Sequence, residues 1–360
     1  MILLAALTLA LTSCVLPTQA VDLEGQLWEQ MGTSALEDAA EGTFSVKEGT
    51  NLQKGLGVLA SQASEQVDAV LHSAFRSAGF MLLVVLFCGV GSTLFQSGQS
   101  AMTRTADLVG VTVITLVAVS DTASMLGLGR EAIDQIDAFS KVLIPTMATA
   151  TAACGSVTGA VVRQAATLLF SDLLITLINR VLIPLVYLYI AVTAATAALG
   201  SKGIAAIAGF MKKGVKGVMT AILLVFTGYL TLSGAAAGAA DATALKATRM
   251  AISSMVPVVG GILSDATETV LTGASAIRSG IGIFGTLVIL GFCVVPFLYL
   301  GVQYLVYKLV AMLASVLYQG TISDLIDQIG AAFGLVLGML GSCALLVLLS
   351  LIGTISVAMT

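Results

Sequence analysis

The sequence predicts an all-α protein, a polytopic transmembrane helical bundle of about seven to nine membrane segments with a small extracytoplasmic helical region at its N-terminus. Three observations support this class. Hydrophobic residues make up 58% of the 360 positions and charged residues only 10%, with a mean hydropathy of +1.03. The apolar residues fall into stretches of membrane-spanning length. A cluster of lysines lies in one short connection between two of these stretches.

The first twenty residues, MILLAALTLALTSCVLPTQA, combine a short apolar run with a Thr-Gln-Ala ending. This pattern predicts a signal peptide over residues 1–20 with cleavage after Ala20, although a basic N-terminal region is missing. The letters LTSC leave an alternative open, because they resemble a lipobox that would be acylated at Cys14.

Residues 21–76 form a second region, in which nine acidic residues stand against three basic ones. Apolar residues recur at helical spacing around Leu23 and again around Val67, which predicts helices joined by a polar loop. Because a signal peptide would carry this acidic segment across the membrane, we expect it outside the cytoplasm.

Residues 77–360 are expected to form the polytopic membrane domain. Its apolar stretches cover approximately residues 77–94, 108–128, 142–162, 165–199, 218–240, 280–317 and 331–359. One crossing needs roughly 20 residues, so the two longest stretches have room for two crossings, or for one crossing and a buried half-helix. The expected span count rests on this reasoning.

The connection 202–216 carries four lysines, and no acidic residue occurs within 173–240. Basic connections concentrate on the cytoplasmic side of membrane proteins, so this connection is predicted to face the cytoplasm. We expect Arg104 and Arg163 on the same side, in two earlier alternate connections, and the acidic run 130–137 on the opposite side. The same alternation places the N-terminal region outside the cytoplasm.

The segment 241–279 departs from the apolar pattern and predicts an interfacial or re-entrant element. Its distinctive residues are Pro257, Gly260, Gly261, Asp265 and Glu268. The proline and the paired glycines interrupt an apolar run that is too short to span a bilayer. Ser264 or Asp265 is suited to cap a helix that follows, and Glu268 to oppose the positive end of its dipole.

Asp172 and Arg180 lie within the apolar stretch 165–199, where a charge is costly. Eight residues, about two helical turns, separate them, so both are able to lie on one face of a helix. This arrangement would suit an ion or substrate pathway. Alternatively, the two side chains mark span ends and reach toward opposite interfaces. Asp121 and Lys308 are two further charges close to apolar spans.

Gly330, Gly334 and Gly338 follow one another at four-residue intervals and line one side of a predicted helix. A side without Cβ atoms permits the close approach of a second helix. That helix belongs either to the same bundle or to another copy in a homo-oligomer. We favour packing within the bundle, because a chain of this size has several helices to pack.

No pattern in the sequence predicts catalysis. GIGIFG at 280–285 fits G-x-G-x-x-G but opens an apolar run instead of following a strand. Walker, H-E-x-x-H, G-x-S-x-G and paired C-x-x-C patterns do not occur, the five cysteines are scattered, and His72 is the single histidine. We therefore expect no catalytic, metal or cofactor site. With a net charge of -4 and no basic run, nucleic acid is not an expected partner.

The run DATALKATRMAISSMVPVVGGILSDATETVLTGASAIRSGIGIFG, residues 241–285, resembles the corresponding part of the stage III sporulation protein AE family. The matching features are the Thr-x-Leu-Lys-x-x-Arg pattern, the Val-Pro-Val-Val-Gly core and the Asp-Ala-Thr-Glu-Thr-Val ending. The likeness extends more loosely from about residue 77 to the C-terminus and includes the signal-like start.

The resemblance implies a role in the sporulation of endospore-forming Firmicutes. Proteins of this family are thought to join other membrane proteins of their operon and a forespore partner in a channel, or feeding tube, between mother cell and forespore. The implied location is the cell membrane of the mother cell around the forespore, with the N-terminal region in the intermembrane space. A separate secretion-type ATPase of the operon would supply energy, and the family implies no catalytic residues.

Two functional hypotheses follow. The resemblance favours a non-enzymatic membrane subunit of this channel or secretion complex. A stand-alone secondary transporter is the alternative, since KVLIP at 141–145 and RVLIP at 180–184 repeat weakly, and transporters often contain duplicated halves with proline-interrupted helices. A membrane enzyme would need clustered His, Asp, Glu or Cys side chains, which a single histidine disfavours.

Overall fold

The structure is a computed structural model that describes residue 40 and residues 52–94, 100–153, 157–255, 260–317 and 321–356. Seven α-helices make up nearly all of this part of the chain: α1 Leu52–Leu94, α2 Ser100–Ala153, α3 Val157–Leu177, α4 Ile183–Leu199, α5 Lys202–Met255, α6 Gly260–Leu317 and α7 Thr321–Ser356. A π-helical turn, Ile178–Leu182, joins α3 to α4. The predicted all-α class is confirmed for the described residues.

Six helices in the described part are long and apolar enough to cross a membrane: Gln53–Gly91, Leu108–Ala152, Gln164–Leu199, Lys202–Leu232, Arg278–Leu317 and Thr321–Ile352. The predicted count of seven to nine is not confirmed. The two longest apolar stretches do not fold back, since one continues through the π-helical turn and the other passes Pro296 without ending. A proline removes one backbone hydrogen bond, which bends a helix held by its neighbours without ending it.

Helix α2 corrects the predicted arrangement of the acidic run 130–137. We expected this run in a connection, but it lies in the middle of a continuous helix. The run remains helical because Ala132, Ile133 and Ile136 are buried on one side while its charged residues lie on the other. Since α2 is unbroken, residue 163 in α3 follows the opposite end of α2 from residue 104, so Arg104 and Arg163 do not share one side as predicted.

The helices alternate in direction along the chain when α3, the π-helical turn and α4 are counted as one continuous helix. Helices α2 and α6 are antiparallel, because Asp121 contacts Tyr307 whereas Phe139 packs on Phe284. The connection between α4 and α5 has only two residues, and Gly200 there adopts a φ of 65°, which favours glycine. We call the end of the bundle with this connection the lysine end, because α5 begins there with Lys202.

The N-terminal start of α1 lies at the end of the bundle opposite the lysine end. Gly55 packs on Leu287 in the first half of α6, whereas Cys88 near the end of α1 packs with Gly110 and Ile322 at the starts of α2 and α7. The predicted domain boundary after Arg76 falls inside α1, which continues on both sides of it. Residues 1–20 lie outside the described residues, so the signal peptide and the division at 76 stay predictions.

The core of the bundle lies along α6 and α7. These two candidate spans are buried over most of their length, whereas α5 and α1 are the least buried. Aromatic side chains fill the centre, where Phe139 contacts both Phe284 and Phe292 with ring centroids 6.4 and 5.9 Å away. Helix α5 is therefore a peripheral helix, with one face on the bundle and one face that the other described helices do not cover.

Candidate functional site: polar contacts between the helices

A buried polar contact joins α2 to α6. Tyr307 donates its hydroxyl hydrogen bond to Asp121 Oδ2 over 2.8 Å, and Gln303 Nε2 donates to the same oxygen over 3.2 Å. Tyr307 is 0% exposed and Gln303 4% exposed. The two donors are four residues apart and share one face of α6. One carboxylate oxygen thus satisfies two donors of buried side chains, which holds the two helices in a single register.

The next residue of α6 forms an ion pair with α7. Lys308 Nζ donates to a side-chain oxygen of Asp327 and, over 3.3 Å, to its backbone carbonyl oxygen. The same nitrogen lies 5.9 Å from the ring centroid of Tyr304. The side chains of Lys308 and Asp327 are 31% and 46% exposed, so this pair lies at the edge of the bundle.

A third contact adds α4 to the same level of the bundle. Tyr189, which is 2% exposed, donates its hydroxyl hydrogen bond to the backbone oxygen of Gln328 over 3.1 Å. We call the residues of these three contacts the central polar cluster: Asp121, Tyr189, Gln303, Tyr307, Lys308, Asp327 and Gln328. Polar groups in an apolar bundle need partners, and here the partners connect four different helices.

The predicted glycines of α7 lie beside this cluster. A Cβ atom at Gly330 would lie 2.9 Å from the Cβ of Tyr307, and one at Gly334 would lie 3.2 Å from ring atoms of Tyr304. Both glycines therefore let α7 approach α6 of the same chain closely. Gly338 instead faces α5, with Met219 at 3.5 Å, and is exposed. Residues four positions apart on an α-helix differ in direction by about 40° around the helix axis. The third glycine, Gly338, therefore points away from α6.

A second polar cluster lies between α2 and the π-helical turn. Asn179 donates its amide hydrogen bond to Asp134 over 3.0 Å, and Arg130 lies 3.9 Å from the same carboxylate. One turn further along α2, Lys141 pairs with Asp137 over 2.7 Å. A π-helical turn is rare, occurs mostly as a single turn inside an α-helix and is frequent at functional sites. Here the turn carries the amide that reaches α2.

Asp172 and Arg180, the predicted intramembrane charges, lie on exposed positions of α3 and of the π-helical turn. The ion pairs among the described residues do not join them to each other. Their predicted common face assumed a regular helix, whereas Arg180 lies in the wider turn. Sequence reasoning missed Gln303, Tyr307 and Asn179, although polar residues at four-residue spacing inside an apolar span are a usable signal.

The predicted residues of the segment 241–279 divide into two groups. Pro257 lies outside the described residues, between the end of α5 and the start of α6. The others belong to the first turns of α6: Gly260, Gly261, Asp265 and Glu268. Ser264 and Asp265 lie inside the described range of α6, and their role at a helix start stays a prediction. Glycine is accepted at a helix start, so the paired glycines do not interrupt this helix. The interfacial or re-entrant element stays a prediction.

Comparisons with known proteins cover nearly the whole described bundle. The family model for Stage III sporulation protein AE matches residues 49–359. A protein named Stage III sporulation protein AE, from Bacillus subtilis (strain 168), is 23% identical over 276 residues, which are 76% of this chain and 69% of that protein. No solved structure matches the chain.

Proposed function

The chain belongs to the stage III sporulation protein AE family, and from this premise we propose that it is a non-enzymatic membrane subunit of a channel or secretion complex between mother cell and forespore. The family match over residues 49–359 carries the proposal, because it includes all six candidate spans. A bundle whose helices are held together by interhelical polar contacts is suited to act as a membrane scaffold for such a complex.

In this proposal the protein is a multi-pass component of the mother-cell membrane around the forespore. Its N-terminal region is extracytoplasmic after removal of the signal peptide. Its partners are the other membrane proteins of the stage III operon, a secretion-type ATPase of that operon, a channel partner from the forespore and further copies of the chain. The peripheral position of α5 supports this view, because a face that the other described helices leave uncovered is suited to contact lipid or other subunits.

A stand-alone secondary transporter is the second candidate, and one observation favours it. Pro296 interrupts the backbone hydrogen bonds of α6 next to a cavity of about 260 Å³. Glu131, Gln135 and Gln62 line the same cavity. Proline-interrupted helices beside polar groups are typical of substrate sites in transporters, and α6 shares the proline and the polar lining although it continues past Pro296.

Deletion of the gene in its host distinguishes the two candidates. We expect sporulation to stop after engulfment, with collapsed forespores visible by fluorescence microscopy of the membranes, and we expect re-expression of the intact gene to restore spores. Normal sporulation together with the loss of uptake of one nutrient would contradict the channel subunit and support the transporter.

The proposed orientation predicts the accessibility of two positions. In a chain without its native cysteines, a cysteine at Ser61 of α1 should react with a membrane-impermeant maleimide added to growing cells, and a cysteine at Ser201 should react only after permeabilisation. The reason is that lysine-rich connections remain in the cytoplasm while the start of α1 lies at the other end of the bundle. Labelling of position 201 but not of position 61 in intact cells would reverse the proposed topology.

A further inference from the structure

Within the described part of the chain, no segment covers a stripe of α7 between α5 and α6. Its exposed residues follow one another at intervals of seven: Gly338, Leu345 and Ile352. On one side of the stripe, Gly334 faces the ring of Tyr304 in α6, and on the other side Gly338 faces Met219 of α5. Helix α7 therefore forms the floor of an apolar surface groove, and α5 and α6 form its two walls. We call this surface the α7 groove.

The α7 groove is basic at the end that points toward the lysine end of the bundle. Lys212 and Lys216 of α5 lie there with Lys308 of α6, and the facing acidic group is Asp327 of α7. Lys212 is half-buried and experiences the charges of Lys308, Lys216 and Asp327. Asp327 already pairs with Lys308, and neither lysine of α5 belongs to an ion pair among the described residues. Three positive charges against one negative charge leave an excess that attracts an anion.

This basic end coincides with the level at which three helices become free of charged residues. Residues 217–240 after Lys216, residues 279–307 before Lys308 and residues 328–356 after Asp327 contain none. Each segment is longer than the roughly 20 residues that cross the hydrocarbon layer. The apolar length of the α7 groove therefore lies at hydrocarbon depth, and its basic end lies at the depth of lipid headgroups.

We propose that the α7 groove binds one anionic phospholipid, with an acyl chain along Gly338 and Leu345 and the phosphate headgroup at Lys212, Lys216 and Lys308. A narrow groove with a glycine in its floor fits a flexible hydrocarbon chain. Lysine ammonium groups near the membrane surface attract anionic headgroups, and partial burial reduces the screening of their charge by salt. An acidic protein segment suits only the basic end, because an unpaired backbone is not tolerated in hydrocarbon.

The headgroup contact is tested by native mass spectrometry of the full-length chain in detergent, titrated with phosphatidylglycerol or with phosphatidylcholine. The intact protein should retain phosphatidylglycerol in preference. Replacing Lys212 and Lys216 together by glutamine should weaken this retention roughly twenty-five-fold, about fivefold for each charge. Lys213→Gln is the matched control, because Lys213 is an exposed neighbour that lies outside the groove, and it should change retention by less than about twofold.

The acyl-chain contact is tested with Gly338→Leu, which fills the groove floor. A Cβ atom at Gly338 meets only Met219, at an ordinary contact distance of 3.5 Å, so this variant should fold and lose bound phosphatidylglycerol. Gly228→Leu is its control, because Gly228 is an exposed glycine of α5 with no atom within 4 Å of an added Cβ, and it should retain the lipid.

Several outcomes would overturn the proposal. Equal retention of the two lipids by the intact chain would exclude a charge-selective site, and unchanged retention by the lysine variant or by Gly338→Leu would place the lipid elsewhere. Co-purification of an acidic protein that Lys212→Gln and Lys216→Gln release, without any lipid effect, would identify a protein ligand instead. If the double variant does not fold, Lys212→Gln and Lys216→Gln are measured singly, and unchanged retention of phosphatidylglycerol by both single variants contradicts a headgroup contact.

Discussion

Replacing Asp121 by alanine is expected to destabilise the helix bundle by about 2 to 4 kcal/mol. The change removes the oxygen that accepts hydrogen bonds from Tyr307 and Gln303, which are 0% and 4% exposed. Two donors then remain buried without a partner, and each unsatisfied group costs about 1 to 3 kcal/mol. The purified chain should accordingly aggregate at a lower temperature, measured as the fraction that still elutes as a single species from size-exclusion chromatography after heating.

Two further variants separate this explanation from a simple loss of packing. Asp121→Asn retains an acceptor oxygen of similar shape, so it should recover most of the stability. Tyr307→Phe removes one donor and keeps the ring on Phe333, whose centroid lies 4.9 Å away, and it should cost less than Asp121→Ala. If Asp121→Asn were as unstable as Asp121→Ala, the hydrogen bonds would not be the cause.

Gly330→Ala is expected to destabilise the chain by about 1 to 3 kcal/mol, although alanine favours helices over glycine. A new Cβ atom at this position would lie 2.9 Å from the Cβ of Tyr307. The facing atom sits next to the α6 backbone, so a side-chain rotation cannot remove the clash and the two helices have to separate. That separation would also disturb the hydrogen bond of Tyr307 to Asp121. Thermal aggregation of the purified chain measures the effect.

Gly228→Ala provides the matched comparison for this variant. Gly228 lies in the middle of α5, and no atom of the described chain lies within 4 Å of an added Cβ. Helix propensity alone should act there, and the variant should be as stable as the parent or more stable by up to about 1 kcal/mol. A stabilising effect at both positions would show that α6 and α7 do not approach at Gly330 as closely as described.

Hydropathy and spacing predicted the all-α class and the glycine-lined side of α7, because both depend on local pattern. They failed at α2. A charged run such as 130–137 predicts a connection when only its average polarity is considered. Its three buried residues, Ala132, Ile133 and Ile136, are too few to change that average. The room for two crossings within 280–317 misled in a similar way, since α6 fills this stretch as one continuous helix that passes Pro296.

Pairing between distant residues was the part that the sequence could not provide. Asp121 and Lys308 attract attention as charges near apolar spans, but their partners lie about 180 and 19 positions away. No periodicity connects such residues, because contact between helices depends on how each one is rotated about its axis. The family resemblance, by contrast, rests on ordered short patterns within 241–285 and needs no knowledge of the fold.

The π-helical turn between α3 and α4 also affects how this stretch tolerates insertions and deletions. A π-helical turn is an α-helix that contains one additional residue. The helices on both sides of the turn keep the directions that they would have without this residue. Deleting one residue at this point would restore regular α-helical winding and leave Thr167, which shares a hydrogen bond with Ser350 of α7, and Tyr189 facing α7. Deleting one residue elsewhere would rotate every following side chain about the helix axis. The wider winding occurs where Asn179 donates a hydrogen bond to Asp134, so a deletion that restores regular winding would also remove the contact between this turn and α2.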